Sequence, residues 1–332
     1  MHPASPLQNI RHEKANTPIS DKFARSHIQK CNRPSFAGIQ QLLQLRPIRN
    51  MPLKEKLILT GLRLKFKALA LFSPRLAAEK AFTLFCTPPK SKRQSRPSIF
   101  HANDAIGMTI EGTEIAGYRW GPKSDRKILI LHGFSSASYK FHRFVHPLLQ
   151  QGYQVYAFDA PAHGKSGGKT VNVLEYCRMI ETANEKFGPF NGYIAHSFGG
   201  LALMLALEKM PAFEGRKAVL IAPATETATS VNLFFKQLSI ASETVKRQFH
   251  EQIYLKSGRK TEWFSVNRSI RKPTATFLWI HDEQDKITPL ADCAPTREAR
   301  LPHVEFHITD GLGHKAIYHD KDVRNRIHEF LA

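Results

Sequence analysis

Between Leu53 and Phe72 apolar residues return at helical spacing, placing Ile58, Leu59, Leu62, Phe66 and Leu69 on one stripe and Lys56, Arg63 and Lys67 on another. That is the pattern of an amphipathic helix. Ser73–Pro74 interrupts it, and Arg75–Phe85 reads as a second short helix ended by Thr87–Pro88–Pro89. From Gly107 the period changes. Met108–Glu111 and Glu114–Trp120 flank Gly112 as an antiparallel hairpin. Lys127–Leu131 (KILIL), Gln154–Phe158, Gly192–Ala195, Ala218–Ile221, Thr276–Ile280 and Val304–Ile308 are short continuous apolar runs, as expected of strands buried on both faces of a parallel sheet. Helical stretches near 137–151, 171–187, 198–210, 290–300 and 316–331 separate them. The alternation predicts an α/β fold, with a mostly parallel central sheet and helices on both faces. It fails once, at residues 224–271, which look helical and hold no strand. They read as a small helical cap over the carboxyl ends of the strands, where open α/β sheets hold ligands. The expected organisation is a disordered basic extension at 1–50, basic amphipathic helices and a linker at 51–106, an α/β domain at 107–223 and 272–332, and the cap at 224–271.

Composition changes this picture little. With 42% hydrophobic and 23% charged residues the chain is neither wholly disordered, nor collagenous, nor a polytopic membrane protein. Charge is the anomaly, because 48 Lys+Arg against 28 Asp+Glu leave a net +20, which suggests a polyanionic partner. Residues 1–100, however, hold 19 basic and 4 acidic side chains, leaving 29 and 24 for the rest. The excess belongs to the N-terminal third, which has no recognised nucleic-acid module, so nucleic acid is not an expected partner. The basic helix at 53–72 fits peripheral contact with an anionic membrane or packing on the domain behind it with a solvated basic face, the simpler of the two. Residues 1–50 fit a targeting segment or sequence upstream of a start at Met51, the latter favoured because Met51 directly precedes the first amphipathic segment. The four cysteines, Cys31, Cys86, Cys177 and Cys293, form no CxxC and have no histidine at metal-ligand spacing. Together with the lack of an apolar signal region in residues 1–30, they predict a reducing, cytoplasmic setting. Phe187–Leu207 carries no Asp, Glu, Lys or Arg, but Pro189, Asn191, Gly192, His196, Ser197 and Gly199–Gly200 make it a buried strand running into a helix rather than a membrane span.

The candidate chemistry starts there. Tyr193-Ile194-Ala195-His196-Ser197-Phe198-Gly199-Gly200 reads as a strand, a tight turn and an apolar helix, and small residues at 195, 199 and 200 let the chain turn sharply. Such a turn holds Ser197 in a strained, exposed position at a helix N-terminus, where free N–H groups favour developing negative charge. Serine alone capping a core helix would do no chemistry. A base and an orienting acid are needed, and suitable groups follow: His281-Asp282-Glu283-Gln284-Asp285-Lys286-Ile287-Thr288-Pro289 after one apolar strand, and Thr309-Asp310-Gly311-Leu312-Gly313-His314 after the next. The order is Ser, Asp, His. Asp282, Glu283 and Asp285 compete as the acid; His307 and His319 rank below His314, since they fall inside a strand and a helix.

From about Gly107 to the C-terminus the chain resembles the α/β-hydrolase fold family, with Ser197 on a nucleophile elbow of G-x-S-x-G type. Leu131-His132-Gly133-Phe134 resembles the family's oxyanion segment, and Asp159-Ala160-Pro161-Ala162-His163-Gly164-Lys165-Ser166 resembles its turn after strand four. Ala195, Ala162-His163 and His281-Asp282 depart from its usual residues. The resemblance implies Ser197 as nucleophile, Asp285 as acid, His314 as base and the backbone N–H groups of Phe134 and Phe198 as oxyanion hole. It implies a hydrolase working through an acyl-enzyme with no metal or organic cofactor. His196 and His132 would then support the elbow and the oxyanion loop. The expected partner is a small-molecule carboxylic ester with an apolar acyl or alcohol part, because Val231, Leu233, Phe234, Phe235, Leu238 and Ile240 give the cap apolar surface, either toward substrate or toward the core. A thioester, an amide, or ligand binding without catalysis are the alternatives.

Overall fold

Short apolar runs of Val, Ile and Leu pair into one eight-stranded sheet in the computed structural model, which describes residues 52–89, 97–100, 104–211, 215–272 and 274–332. The expected extension at 1–50, Met51, Cys31 and most of the linker lie outside the described residues. The strands are β1 (Ala105–Ile110), β2 (Thr113–Trp120), β3 (Lys127–Leu131), β4 (Gln154–Phe158), β5 (Gly192–His196), β6 (Lys217–Ile221), β7 (Thr276–Asp282) and β8 (Val304–Thr309), in the order β1-β2-β4-β3-β5-β6-β7-β8. β1 begins two residues inside the stretch expected to be linker. β1 and β2 form the antiparallel hairpin, β2 joins β4 antiparallel, and every other pairing is parallel.

Successive side chains along a strand point to opposite faces, and the sheet therefore builds two cores. Ile128, Ile130, Ile194, Val219 and Ile280 pack on one face beneath α-helices His142–Gln150 and Lys321–Leu331. Leu129, Leu131, Tyr193, Ala195, Leu220 and Trp279 pack on the other beneath Val173–Phe187 and Phe198–Leu207. In chain order we name the helices α1 (Leu53–Phe72), α2 (Pro74–Phe85), α3 (His142–Gln150), α4 (Val173–Phe187), α5 (Phe198–Leu207), α6 (Thr227–Leu238), α7 (Glu243–Ser257), α8 (Ala294–Ala299) and α9 (Lys321–Leu331), leaving shorter turns unlabelled. α4 starts on a reciprocal cap: the Asn172 side chain accepts from the amides of Leu174 and Glu175, and the Glu175 carboxylate accepts from the Asn172 amide.

The cap has a second source. α6 and α7 arise from residues 224–271, and the N-terminal pair α1–α2 packs with them. Ser73 ends α1 and caps α2, accepting from the Leu76 amide. Phe82 and Phe85 of α2 meet Phe249 of α7 at ring distances of 5.6 and 5.7 Å, and Phe85 meets Phe234 of α6 at 5.2 Å. Arg63 of α1 donates twice to the Gln237 carbonyl at the end of α6. Leu59, Leu62 and Phe66 of α1 are buried in the same core as the cap. The basic amphipathic helix thus packs on the domain through its Leu59–Phe66 face.

Candidate active site

Strand β5 runs directly into α5, and Ser197 occupies the joint with φ 54° and ψ −120°, a left-handed backbone that a serine adopts only where its surroundings impose it. Those surroundings are specific. The Ser197 amide donates to the Ile221 carbonyl at 3.0 Å, and its own carbonyl accepts from Gly200 and Ala224. Behind it α5 lies so close to β3 that a Cβ on Gly199 would sit 2.7 Å from the His132 carbonyl oxygen. A Cβ on Gly133 would sit 2.9 Å from His196 Nδ1 and 3.0 Å from Ser197 Cβ. Glycine at 133 therefore lets the β3 loop lie against the serine.

The loops after β7 and β8 bring the other candidates to the same edge. The Ser197 hydroxyl donates to His314 Nε2 at 2.9 Å, and His314 Nδ1 donates to Asp285 Oδ2 at 2.7 Å. The carboxylate fixes the imidazole tautomer by holding the Nδ1 proton. Asp285 also accepts from the amides of Ile287 and Thr288 and from the Thr288 hydroxyl. Burial alone would raise the Asp285 carboxyl, but the hydrogen bond and charge of His314 and these amides outweigh it and hold the group below its ordinary range. Asp282 does something different. It accepts from the amides of Gln284, Leu312 and Gly313 and from the Thr309 hydroxyl, tying the β7 loop to the loop that carries His314. Burial raises this carboxyl too, and the four donors again prevail. Glu283 is exposed, His307 lies in β8, and His319 ends the turn Ile317–His319.

A shell of neutral histidines surrounds these groups. His196 Nε2 donates to the His314 carbonyl at 3.0 Å, and the two rings lie 4.8 Å apart. His281 accepts from the Trp279 indole and donates to the Thr288 carbonyl at 2.6 Å. His132 Nε2 accepts from the Ala160 amide, its Nδ1 faces the Gly133 carbonyl, and Tyr176 donates to the His132 carbonyl. Burial lowers the pKa of all of them, that of His132 to about 3. His163 lies between the β3 and β4 loops, with Nε2 against the Phe134 carbonyl and Nδ1 2.9 Å from the Pro161 carbonyl, and the neutral ring donates to one of the two. Thr288 and His281 are site residues that the sequence does not single out, because their bonds to each other and to Asp285 form only when the loop after β7 is folded.

Ser197 and His314 open into a cavity of about 560 Å³. Phe134 and Phe198 flank the serine, their rings edge-on at 5.5 Å. The Phe198 amide is the first of α5 and has no intrahelical acceptor. Most of the wall is apolar, with contributions from Val173 and Leu174 of α4, Leu201 of α5, Leu233 and Phe234 of α6 with Ile253 of α7, and Phe82 and Phe85 of α2. Of the apolar cap residues singled out above, Leu233 and Phe234 face the cavity, whereas Val231, Phe235, Leu238 and Ile240 are buried in the core. The contribution of α2 has no counterpart in the sequence reading. Three lysines, Lys256, Lys286 and Lys315, line the cavity, and among its described lining residues there is no aspartate or glutamate. Burial lowers the pKa of Lys315 to about 8. Cys86 also lines the wall, with its thiol pushed up to about 12 by burial, so it is a packing group rather than a nucleophile.

Residues 122–276 match the family model described as serine aminopeptidase, S33. A serine hydrolase-like protein of Danio rerio is 39% identical over 101 residues, a match that covers 28% of this chain and only 30% of that protein. A monoacylglycerol lipase of Mycolicibacterium smegmatis is 26% identical, over 55% of this chain and 79% of the lipase. Among solved structures, the Pyrococcus furiosus esterase Pf2001 covers 74% of this chain and 97% of its own, with a TM-score of 0.55 at 23% identity. The strand order, the elbow between β5 and α5, and these likenesses show that the chain has the α/β-hydrolase fold.

Proposed function

We propose that this protein is a serine hydrolase that cleaves carboxylic esters with an apolar acyl or alcohol part. The observation that carries the reading is the hydrogen-bonded chain from Ser197 through His314 to Asp285 at the floor of an apolar cavity. His314 takes the Ser197 proton as Oγ attacks the ester carbonyl, and the amides of Phe134 and Phe198 receive the oxyanion. The carbon–oxygen bond then breaks, and the alcohol leaves with the proton from His314. Water attacks the acyl-enzyme, passes its proton to His314, and the acid departs as Ser197 recovers its hydrogen. The named activities of the lipase and esterase relatives favour the same bond.

The family description also raises peptide-bond cleavage next to a free amino terminus, and the charge of the described cavity lining favours the ester reading over it. Recognising a substrate ammonium calls for a carboxylate, yet the described cavity lining offers lysines and no acid. Turnover of p-nitrophenyl butyrate, abolished in Ser197→Ala, together with no cleavage of aminoacyl p-nitroanilides, is the expected result; the reverse pattern overturns the ester reading.

A further inference from the structure

Every large hydrophobic side chain that is exposed among the described residues lies on three helices, α1 and α7 each packed on α2: five on α1, Leu76 on α2, and Tyr254 and Leu255 on α7. The sheet and its own helices expose none. On α1 the exposed set is ordered. Leu53, Leu57, Leu64 and Leu71 are 73%, 64%, 63% and 78% exposed, and their spacings of four and seven residues put them on one side of the helix. Leu57 and Leu64 each stand two residues, about 200° around the helix, from the buried Leu59, Leu62 and Phe66. The helix therefore has two apolar stripes, one facing the core and one facing away from it. By the same helical arithmetic Lys54 and Lys65 flank the outer stripe on one side and Lys56 and Lys67 on the other. Residues 53–85 hold seven basic and two acidic side chains.

Leucines between rows of lysine are the surface of a helix lying in a lipid headgroup region. Charge also selects among occupants. Two copies meeting through this stripe would oppose their lysine rows, and residues 1–50 are themselves basic, with eight basic and two acidic side chains, so neither complements it. An anionic bilayer does. No described helix is long and apolar enough to cross a membrane, so the contact is peripheral. The inner side of α1 rests on elements that wall the cavity: Arg63 holds the carbonyl of Gln237, a lining residue, and α2 contributes Phe82 and Phe85.

We propose that the outer face of α1 docks on an anionic lipid surface, so that the ester enters the cavity from the membrane. The docking stands on the exposed stripe; only the identity of what it delivers rests on the ester reading. The test is co-sedimentation of the full chain with vesicles of phosphatidylglycerol mixed with phosphatidylcholine, and with vesicles of phosphatidylcholine alone. Wild type should bind the anionic vesicles preferentially. L57E/L64E/L71E should bind them about tenfold or more less tightly, K54E/K65E/K67E should lose most of the same binding, and p-nitrophenyl butyrate turnover should stay unchanged in both. Because the leucines are solvent-exposed, the unchanged turnover and melting temperature also report intact folding. Absence of wild-type binding, equal binding by the leucine variant, or a dimer dissolved by that variant each overturns the proposal. Wild type that docks without cleaving any ester refutes the ester reading alone, and wild type that cleaves without docking refutes this one alone.

Discussion

Asp282 and Asp285 stand three residues apart and do separate work. Asp285 holds the proton on His314 Nδ1, whereas Asp282 holds the loop that presents His314. Asp285→Asn offers an amide N–H toward Nδ1 and favours the wrong tautomer; kcat should fall on the order of 10³–10⁴-fold with the melting temperature nearly unchanged. Asp282→Asn leaves four donors sharing one weaker acceptor in a buried site; it should cost about 2–3 kcal/mol of stability and lower kcat through a misplaced His314. Thermal melts and turnover on the two variants separate the roles. Ser197 and His314 were legible because each follows an apolar strand in a recognisable local setting. Choosing between Asp282 and Asp285 needed the family resemblance, since both follow β7 closely and only the path of the loop decides which carboxylate reaches the imidazole. Thr288 reads in sequence as a turn residue before Pro289, and its bond to Asp285 exists only once that loop is folded.

Elements show a different limit of sequence reading. The strands were legible almost to the residue because doubly buried strands are continuous apolar runs. α1 was legible as a helix, but its two apolar stripes share one period, and nothing local says which stripe turns inward. Likewise the pattern of α2 announces an apolar face without naming what that face covers, so its place in the cavity wall emerged only from the fold. Two outcomes follow at this scale. Phe66→Ala removes a fully buried ring from the contact of α1 with the domain and should cost about 3–5 kcal/mol in denaturant unfolding. Phe85→Trp enlarges a wall residue of α2 and should shorten the preferred acyl chain, read as kcat/KM across p-nitrophenyl esters from acetate to decanoate. An unchanged chain-length profile would remove α2 from the substrate site.

For the whole molecule, the shell of buried neutral histidines sets the acid limit. His132, His163, His196 and His281 all have pKa values lowered by burial. The unfolded chain takes up protons at these residues near pH 6.5, and the folded protein does so only at lower pH. Their neutral burial is therefore compatible with full stability above pH 6.5 and progressively destabilising as the pH falls below it. The melting temperature should therefore drop clearly between pH 7.5 and 5. A melting temperature constant over that interval would refute neutral burial. Catalysis by Ser197 is the claim on which the rest depends, and fluorophosphonate labelling of the full chain followed by peptide mapping tests it most directly. One adduct on Ser197, absent from Ser197→Ala along with roughly 10³-fold or more of the ester turnover, is the expected result. Labelling at another residue, or a Ser197→Ala variant that hydrolyses esters at the wild-type rate, would show that the serine at the elbow is not the nucleophile.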